Sequence, residues 1–212
     1  ISGNTADTKI SADANYWDGE KAPVATTPVD VFSYYAELNA DGTIKEESLK
    51  SNVVAKIGEA QYTSLQAAIN NVKNGEKITL VVDCAEAVHI NKTNVAFTID
   101  GQISEPEKID FSGVIGINIG QNVTIRNIDF KGATANHDFI KNEGSPTGKN
   151  YNTTLLVENC SFTGNPEFDV VGVRTIHPTH TQIVNCTADG LHSLLQNTGG
   201  QEVTVDNVVV TN

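Results

Sequence analysis

Apolar and polar residues alternate in short runs through the second half of the chain, and four of these runs are interrupted by an asparagine. Alternation with a period of two predicts β-strands with one buried face. The asparagines at positions 127, 159, 185 and 207 recur after 32, 26 and 22 residues. Self-similarity at such a period predicts a stacked solenoid. The interrupted runs are Val123–Phe130, Leu155–Phe162, Gln182–Ala188 and Val203–Val210.

The repeated asparagine has a physical reason at the corner between two strands. Asn tolerates the bent backbone of a tight turn. Its side-chain amide can also bond the Asn of the next coil. A third apolar run lies between consecutive Asn-centred segments, and aligning these runs predicts an inward aliphatic ladder of Ile117, Ile140, Val173 and Leu195. The residues that follow should point outward as a second row: Asn118, Lys141, Arg174 and Gln196.

One helix is predicted, at about residues 63–74, just before the coils begin. The segment Thr63–Gln66 matches a capping box. The spacing of Leu65, Ala68, Ile69 and Val72 gives one apolar stripe. Such an amphipathic helix would cover the open end of the first coil, which otherwise exposes apolar surface and strand edges.

Three features resemble known surface-protein architecture. The Asn-Ile and Asn-Cys corners at 127–128, 159–160 and 185–186 resemble right-handed parallel β-helices of the pectate-lyase-like type. The segment Val54–Asp83 resembles a module that opens a β-helix in large surface proteins of gut and other host-associated bacteria. The segment Ala14–Trp17 is similar to the close of a preceding β-helix in such proteins. The resemblance implies an all-β solenoid, a right-handed single-stranded parallel β-helix with one capping helix.

The domain organisation follows from the same segments. Residues 1–50 are interpreted as the end of a preceding repeat domain plus a linker strand. Residues 51–212 are interpreted as a capped β-helix that is truncated at its C-terminal end. We expect a monomeric fragment of a longer extracellular or cell-surface chain.

Charge and cysteine content exclude several classes of partner and site. The net charge of −12 argues against nucleic-acid binding and against an anionic membrane surface. No apolar run is long enough to insert into a membrane as a helix. The three cysteines form no CxxC pair, which disfavours zinc. Cys160 and Cys186 should stack inside the solenoid, either as free thiols, which we favour, or as a disulfide.

Candidate chemistry lies on the outward row and its edge. Lys141 and Arg174 could bind an acidic sugar, or could be isolated charges on a solvated face. Arg174 could act as a base only if its pKa were lowered far below its usual value. Asp138, Asp169 and Asp189 each precede the third run of their coil and could provide catalytic carboxylates or be simple turn residues, and His192 edges the same face.

No cofactor is assigned from the sequence. Lyases of the resembled family hold calcium between clustered carboxylates, and no dense acidic cluster stands on the corresponding sheet, so calcium is left open. His137, His177, His180 and His192 form the only concentration of histidines, which is a weak pattern for a metal site.

The leading hypothesis is a non-catalytic surface module, an adhesin-like stalk or ligand-binding β-helix. Its partner would be a host or microbial glycan or glycoprotein, bound through Asn118, Lys141, Arg174 and Gln196. Two alternatives stay open. One is a polysaccharide lyase or glycoside hydrolase whose catalytic candidates are Arg174, Lys141, Asp138, Asp169 and His192. The other is an inert spacer.

Overall fold

The computed structural model describes most of the chain beyond residue 31 and three short segments before it. The described residues are 10–11, 15–16, 29–30, 32–92, 95–104, 107–118, 120–142, 153–176, 179–198 and 202–211. They contain 24 strands, one 3-10 helix at Glu46–Ser48 and one α-helix, α1, at Leu65–Asn71.

The strands are short, and most of them span three to six residues. In chain order, the first eight are β1 Ile10–Ser11, β2 Asn15–Tyr16, β3 Val29–Asp30, β4 Ser33–Tyr35, β5 Leu49–Ser51, β6 Ala55–Ile57, β7 Ala60–Tyr62 and β8 Lys77–Leu80. The next eight are β9 Ala87–Ile90, β10 Ala96–Asp100, β11 Gln102–Ser104, β12 Glu107–Phe111, β13 Val114–Ile117, β14 Asn122–Arg126, β15 Ile128–Phe130 and β16 His137–Asn142. The last eight are β17 Thr153–Glu158, β18 Ser161–Thr163, β19 Val170–Thr175, β20 Thr179–Val184, β21 Thr187–Asp189, β22 Ser193–Asn197, β23 Glu202–Asp206 and β24 Val209–Thr211.

Three sheets built from stacked parallel strands make up the solenoid. Sheet 1 has the order β23-β20-β17-β14-β10-β8-β6-β7, sheet 2 the order β11-β12-β15-β18-β21-β24, and sheet 3 the order β22-β19-β16-β13-β9. From β14 onward the chain visits sheets 1, 2 and 3 in turn, and each strand pairs in parallel with its counterpart one coil later. The antiparallel exceptions in these three sheets lie at the start, in β6, β7 and the β11–β12 hairpin. The chain is therefore an all-β parallel solenoid, as predicted.

The interior is filled by rows of identical or similar side chains, one from each coil. Phe111, Phe130 and Phe162 occupy one register position in sheet 2 and are fully buried. The rings of Phe130 and Phe162 stack with their centroids 4.8 Å apart. Offset aromatic pairs of this kind stabilise by about 0.5–1.5 kcal/mol beyond their area burial.

The predicted ladder of sheet 3 is correct in three of its four positions. Ile140, Val173 and Leu195 share one register position. Their partner in β13 is Ile115, so the predicted Ile117 is two residues out of register and pairs with Asn142 instead. Both isoleucines point inward and are fully buried, which is why the apolar pattern alone could not choose between them.

Helix α1 covers the first coil, and its apolar stripe is confirmed. Leu65, Ala68, Ile69 and Val72 are all buried in the common core. The N-cap is Ser64, whose side chain accepts a hydrogen bond from the Ala67 amide, so the predicted capping box is one residue out. Gln66 does not return to the cap, because its side chain bonds both backbone groups of His89.

Two charged residues from the first coil hold the two ends of α1. Glu86 accepts hydrogen bonds from the amides of Leu65 and Gln66 at the helix N-terminus. Lys92 donates to the carbonyls of Asn70 and Val72 at the C-terminus. An anion at the first turn and a cation at the last both complement the helix dipole. These contacts fix the helix over the open end of the first coil.

The asparagine corners form as predicted. Asn127, Asn159, Asn185 and Asn207 have φ values of 56°, 52°, 55° and 48°, in the left-handed region. The Asn159 amide donates to Asn127 Oδ1 at 2.6 Å, and the Asn207 amide donates to Asn185 Oδ1 at the same distance. The corners thus combine a tolerated backbone strain with side-chain bonds between coils.

A buried carboxylate lies next to the first of the corner asparagines. Asp100 accepts a hydrogen bond from the Asn127 amide at 2.8 Å. Its Oδ2 lies 3.0 Å from Arg126 Nη2 and 3.4 Å from Lys77 Nζ. The Asp100 side chain is only 5% exposed, so these cations compensate a charge that water barely reaches.

The cysteines are free and buried, as favoured from the sequence. Cys160 and Cys186 follow consecutive corners, and each thiol lies within 3.3 Å of the backbone carbonyl two residues before it. Burial raises the pKa of the Cys160 thiol well above its ordinary value. Cys160 therefore packs as a protonated, small apolar side chain.

The first 51 residues contribute short strands outside the three sheets. Strand β4 pairs in parallel with β2 and antiparallel with β5, and β1 pairs in parallel with β3. The predicted division at residue 50 stays a prediction, because most of residues 1–31 lie outside the described part of the chain.

Candidate functional site

The outward row of sheet 3 differs from its prediction at one position. Lys141, Arg174 and Gln196 share a register position, as expected. The β13 residue in that row is Gly116, so Asn118 lies two residues away, beyond the end of the strand. A Cβ on Gly116 would lie 2.8 Å from the ring of His89, the next residue in the row. The prediction that Asn118 shares this row is therefore wrong.

Arg174 and Asp138 form an ion pair across adjacent coils. Arg174 Nε donates to Asp138 Oδ2 at 2.8 Å. The side chains are 31% and 18% exposed, so the pair is partly shielded from water. The hydrogen bond from Arg174 to Asp138 raises the pKa of Arg174. This direction is opposite to the lowering that a basic catalytic role for Arg174 would require.

A cavity of about 220 Å³ opens beside this pair. Its walls are formed by Asn136, His137, Asp138, Asp169 and Arg174. The Asp169 amide donates to Asn136 Oδ1 at 3.0 Å, and the His137 amide donates to the Asp169 carbonyl. The end of one coil is thereby tied to the next, and two carboxylates face one cavity.

A second cavity of about 300 Å³ is also lined by Asp169. It is lined by Pro166, Glu167, Phe168, Asp169, Gly190, Leu191 and His192. His192 Nδ1 lies 3.3 Å from Asp169 Oδ1, and both side chains are more than half exposed. Phe168 and Leu191 are half-buried against the core, so each leaves part of an apolar side chain in the cavity wall.

The two cavities share Asp169, and we call the surface lined by the residues of both cavities the corner groove. It runs from the 164–169 turn to the first residues of sheet 3 and is defined by the residues of the two cavities. The structure brings together four of the predicted residues: Asp138, Asp169, Arg174 and His192. Lys141 and Gln196 do not line either cavity.

Close packing of the coils shapes the groove floor. A Cβ on Gly164 would lie 2.2 Å from the Gly190 carbonyl oxygen, and one on Gly172 would lie 2.8 Å from the Leu194 carbonyl oxygen. Neither clash can be relieved by rotating a side chain, because both partners are backbone atoms. Glycine at these positions lets adjacent coils approach and holds the two walls in place.

The sequence did not predict that Asn136 or the apolar side chains of the second cavity would line the groove. Asn136 lies in a turn with no repeat partner, and nothing in its local pattern marks it. Phe168 packs partly against the core, and its remaining surface faces the groove. The length of the 163–169 loop was the available signal, since insertions in solenoids mark variable edges.

Histidines and carboxylates do not converge on a metal site in the part of the chain that the structure describes. Among the described residues, no group of three or more His, Cys, Asp or Glu side chains is placed to hold a metal ion. His177 lies outside these residues, and His180 is 3.0 Å from Glu202 on sheet 1, away from the groove. Within the described ranges, no helix has the length and apolar character needed to span a bilayer.

Comparison of the chain with models of protein families, with curated proteins and with solved structures finds no match.

Proposed function

We propose that this chain is a non-catalytic ligand-binding module of a bacterial surface protein, and that it binds a glycan or glycoprotein in the corner groove. The observation that carries the proposal is the composition of that groove. One cavity presents polar side chains that are held by neighbouring coils, and the other adds partly exposed apolar side chains. Ligand sites commonly combine an apolar lining with a few precisely held polar groups.

The charged groups of the groove support binding more than catalysis. Asp138 is occupied by Arg174, and the pKa of Arg174 is raised by this contact. A general base must accept a proton at the working pH, which this arginine does not do. The same contact fixes the guanidinium group in one position, and preorganised donors favour binding.

A surface location is part of the proposal. It is supported by the solenoid architecture, whose stacked coils present an extended lateral face to partners. The resemblance of the 54–83 segment to surface-protein modules supports the same location. A spacer without any ligand is the simplest competing hypothesis.

A polysaccharide-active enzyme is the second candidate, and one observation favours it. Asp138 and Asp169 line the same cavity beside Arg174. Glycoside hydrolases use a pair of carboxylates in such a position. Ion-pairing of Asp138 argues against this candidate, since a catalytic carboxylate must be available to the substrate.

The test is a glycan-array screen of the purified protein, with and without calcium, followed by product analysis on each glycan that binds. We expect binding without new reducing ends or unsaturated products. The variant Arg174→Gln should weaken binding by about ten- to a hundredfold, because a hydrogen bond to a charged group contributes about 1.5–3 kcal/mol. Glu202→Gln, at an exposed carboxylate on sheet 1, is the matched control and should bind normally.

Two results would overturn the proposal. Products that disappear in Asp138→Asn would establish the enzyme. The failure of every glycan to bind would favour the spacer.

A further inference from the structure

We infer that the corner groove selects neutral glycans over acidic ones and holds at least two consecutive sugar units. This inference rests on the proposed function and names the chemical class of its ligand. It reverses the expectation that Arg174 marks a site for an acidic sugar.

The polar half of the groove presents fixed donors and acceptors side by side. The Nε of Arg174 is taken by Asp138, and within the described residues its Nη groups have no protein partner. Asp169, whose Oδ1 lies 3.3 Å from His192 Nδ1, lines the same cavity and is 69% exposed, so its carboxylate can accept a hydrogen bond from a ligand. Adjacent sugar hydroxyls both donate and accept, so a diol can bond the guanidinium fork and the carboxylate together.

Charged ligands satisfy only one side of this arrangement. A ligand carboxylate would accept from Arg174 and be repelled by Asp169. A ligand ammonium would donate to Asp169 and be repelled by Arg174. A neutral hydroxylated ligand meets neither repulsion.

The charge of the whole groove adds to the discrimination against anions. Three carboxylates stand among its described lining residues: Asp138, Asp169 and Glu167. Arg174 is the one permanent cation of that same set, and its charge is balanced by Asp138. Lys141, one of the two neighbours of Arg174 in the outward row, lines neither cavity. Counting both lining histidines, His137 and His192, as neutral, the three carboxylates outnumber the single arginine, so the groove carries a net negative charge.

The apolar half supplies the second subsite. Phe168, Leu191 and Pro166 line the second cavity, which shares Asp169 with the cavity that contains Arg174. The C–H face of a sugar ring packs on such a surface, as aromatic rings provide large contact area at low entropic cost. One sugar hydrogen-bonds in the polar cavity and its neighbour packs in the apolar one, with Asp169 between them.

The experiment uses pairs of glycans in which one member is neutral and the other is acidic, and in the methyl-ester pair the sugar chain itself is the same. The probes are lactosamine oligosaccharides with and without terminal sialic acid, and oligogalacturonides with and without methyl esters. Affinity is measured by calorimetry at low salt, where charge effects are largest. We expect the neutral member of any pair that binds to be at least tenfold tighter, and the corresponding monosaccharides to bind at least tenfold more weakly.

Two variants separate charge from geometry. Arg174→Lys keeps the positive charge and loses the planar fork, so it should reduce neutral-glycan affinity by about tenfold. Glu167→Gln removes one repulsive carboxylate, so it should narrow the gap between the neutral and acidic members severalfold. Glu202→Gln leaves both affinities unchanged, since this carboxylate lies outside the groove.

The outcomes distinguish this inference from the proposed function. Tighter binding of the acidic member overturns the inference and leaves glycan binding intact. Equal binding of monosaccharides and longer glycans overturns the two-subsite part. Absence of binding by every probe overturns both.

Discussion

Substitutions at Asn159 can separate two contributions of a corner asparagine to the free energy of unfolding. One comes from its backbone conformation and the other from its side-chain hydrogen bond. Asn159 has φ 52°, and its amide donates to Asn127 Oδ1 at 2.6 Å. In Asn159→Ala the left-handed backbone costs about 1–2 kcal/mol and the lost hydrogen bond about 1 kcal/mol. We therefore expect the free energy of unfolding to fall by about 2–3 kcal/mol.

Asn159→Gly isolates the side-chain part. Glycine adopts the left-handed conformation without a steric penalty, although it loses more chain entropy on folding. This variant should therefore be about 0.5–1 kcal/mol more stable than Asn159→Ala. Urea denaturation followed by circular dichroism measures the free energy of unfolding of both variants. An unchanged denaturant slope shows that the coils still unfold together.

The corner at Asn207 is the matched control. It has the same backbone conformation, with φ 48°, but lies exposed in the last coil and donates only to Asn185. Asn207→Gly should again be more stable than Asn207→Ala, and both should lose less free energy of unfolding than the Asn159 variants. Equal midpoints for Asn159→Ala and Asn159→Gly would refute the claim that the left-handed corner explains the repeated asparagine.

Three further predictions test the core around the corners and the groove. Asp100→Asn should lower the free energy of unfolding by about 2–3 kcal/mol in urea melts, because two cations lose their shielded partner; an unchanged midpoint would contradict this. Gly164→Ala should destabilise by about 1–3 kcal/mol and weaken glycan binding, because its Cβ meets the Gly190 carbonyl. Gly58→Ala adds a Cβ in open space at φ 56°, so it should destabilise through the backbone by about 1–2 kcal/mol and leave binding unchanged. Burial raises the pKa of Cys160, whereas the hydrogen bond with Cys160 lowers the pKa of Cys186 to about 7. Above about pH 8.5 the unfolded chain ionises the Cys160 thiol that the folded chain keeps protonated, so stability should fall, less steeply in Cys160→Ala; identical pH slopes from about pH 8.5 to 10 would be inconsistent with this.

The sequence predicted those parts of the fold that repeat. Asparagine at 127, 159, 185 and 207 carries both its backbone preference and its hydrogen bond in the residue type itself, so the corners could be located without a structure. The apolar stripe of α1 was equally readable, because one face of a helix has a fixed spacing.

Register and caps were less predictable, since they depend on contacts distant in the chain. Ile115 and Ile117 both point inward, and only the pairing of β13 with β16 decides which one aligns with Ile140. Ser64 rather than Thr63 caps α1 because Glu86, more than twenty residues later, takes two of the free amides.

The sequence predicted the polar residues of the groove but not its shape. Asp138, Asp169, Arg174 and His192 were identified because they edge one face. The 164–169 turn lies beside residues 190–192 of the next coil, and this placement depends on the close approach of Gly164 to Gly190, which no single repeat reveals.

The most direct test of glycan binding in the corner groove is to locate a bound glycan by solution NMR, following backbone amide shifts during titration with the tightest neutral glycan. We predict that the largest shifts occur at Asn136, Phe168, Asp169 and Arg174, and that they vanish in Arg174→Gln. Shifts concentrated on the outer face of sheet 1, around Thr98 and Thr124, with the corner groove unaffected, would contradict it.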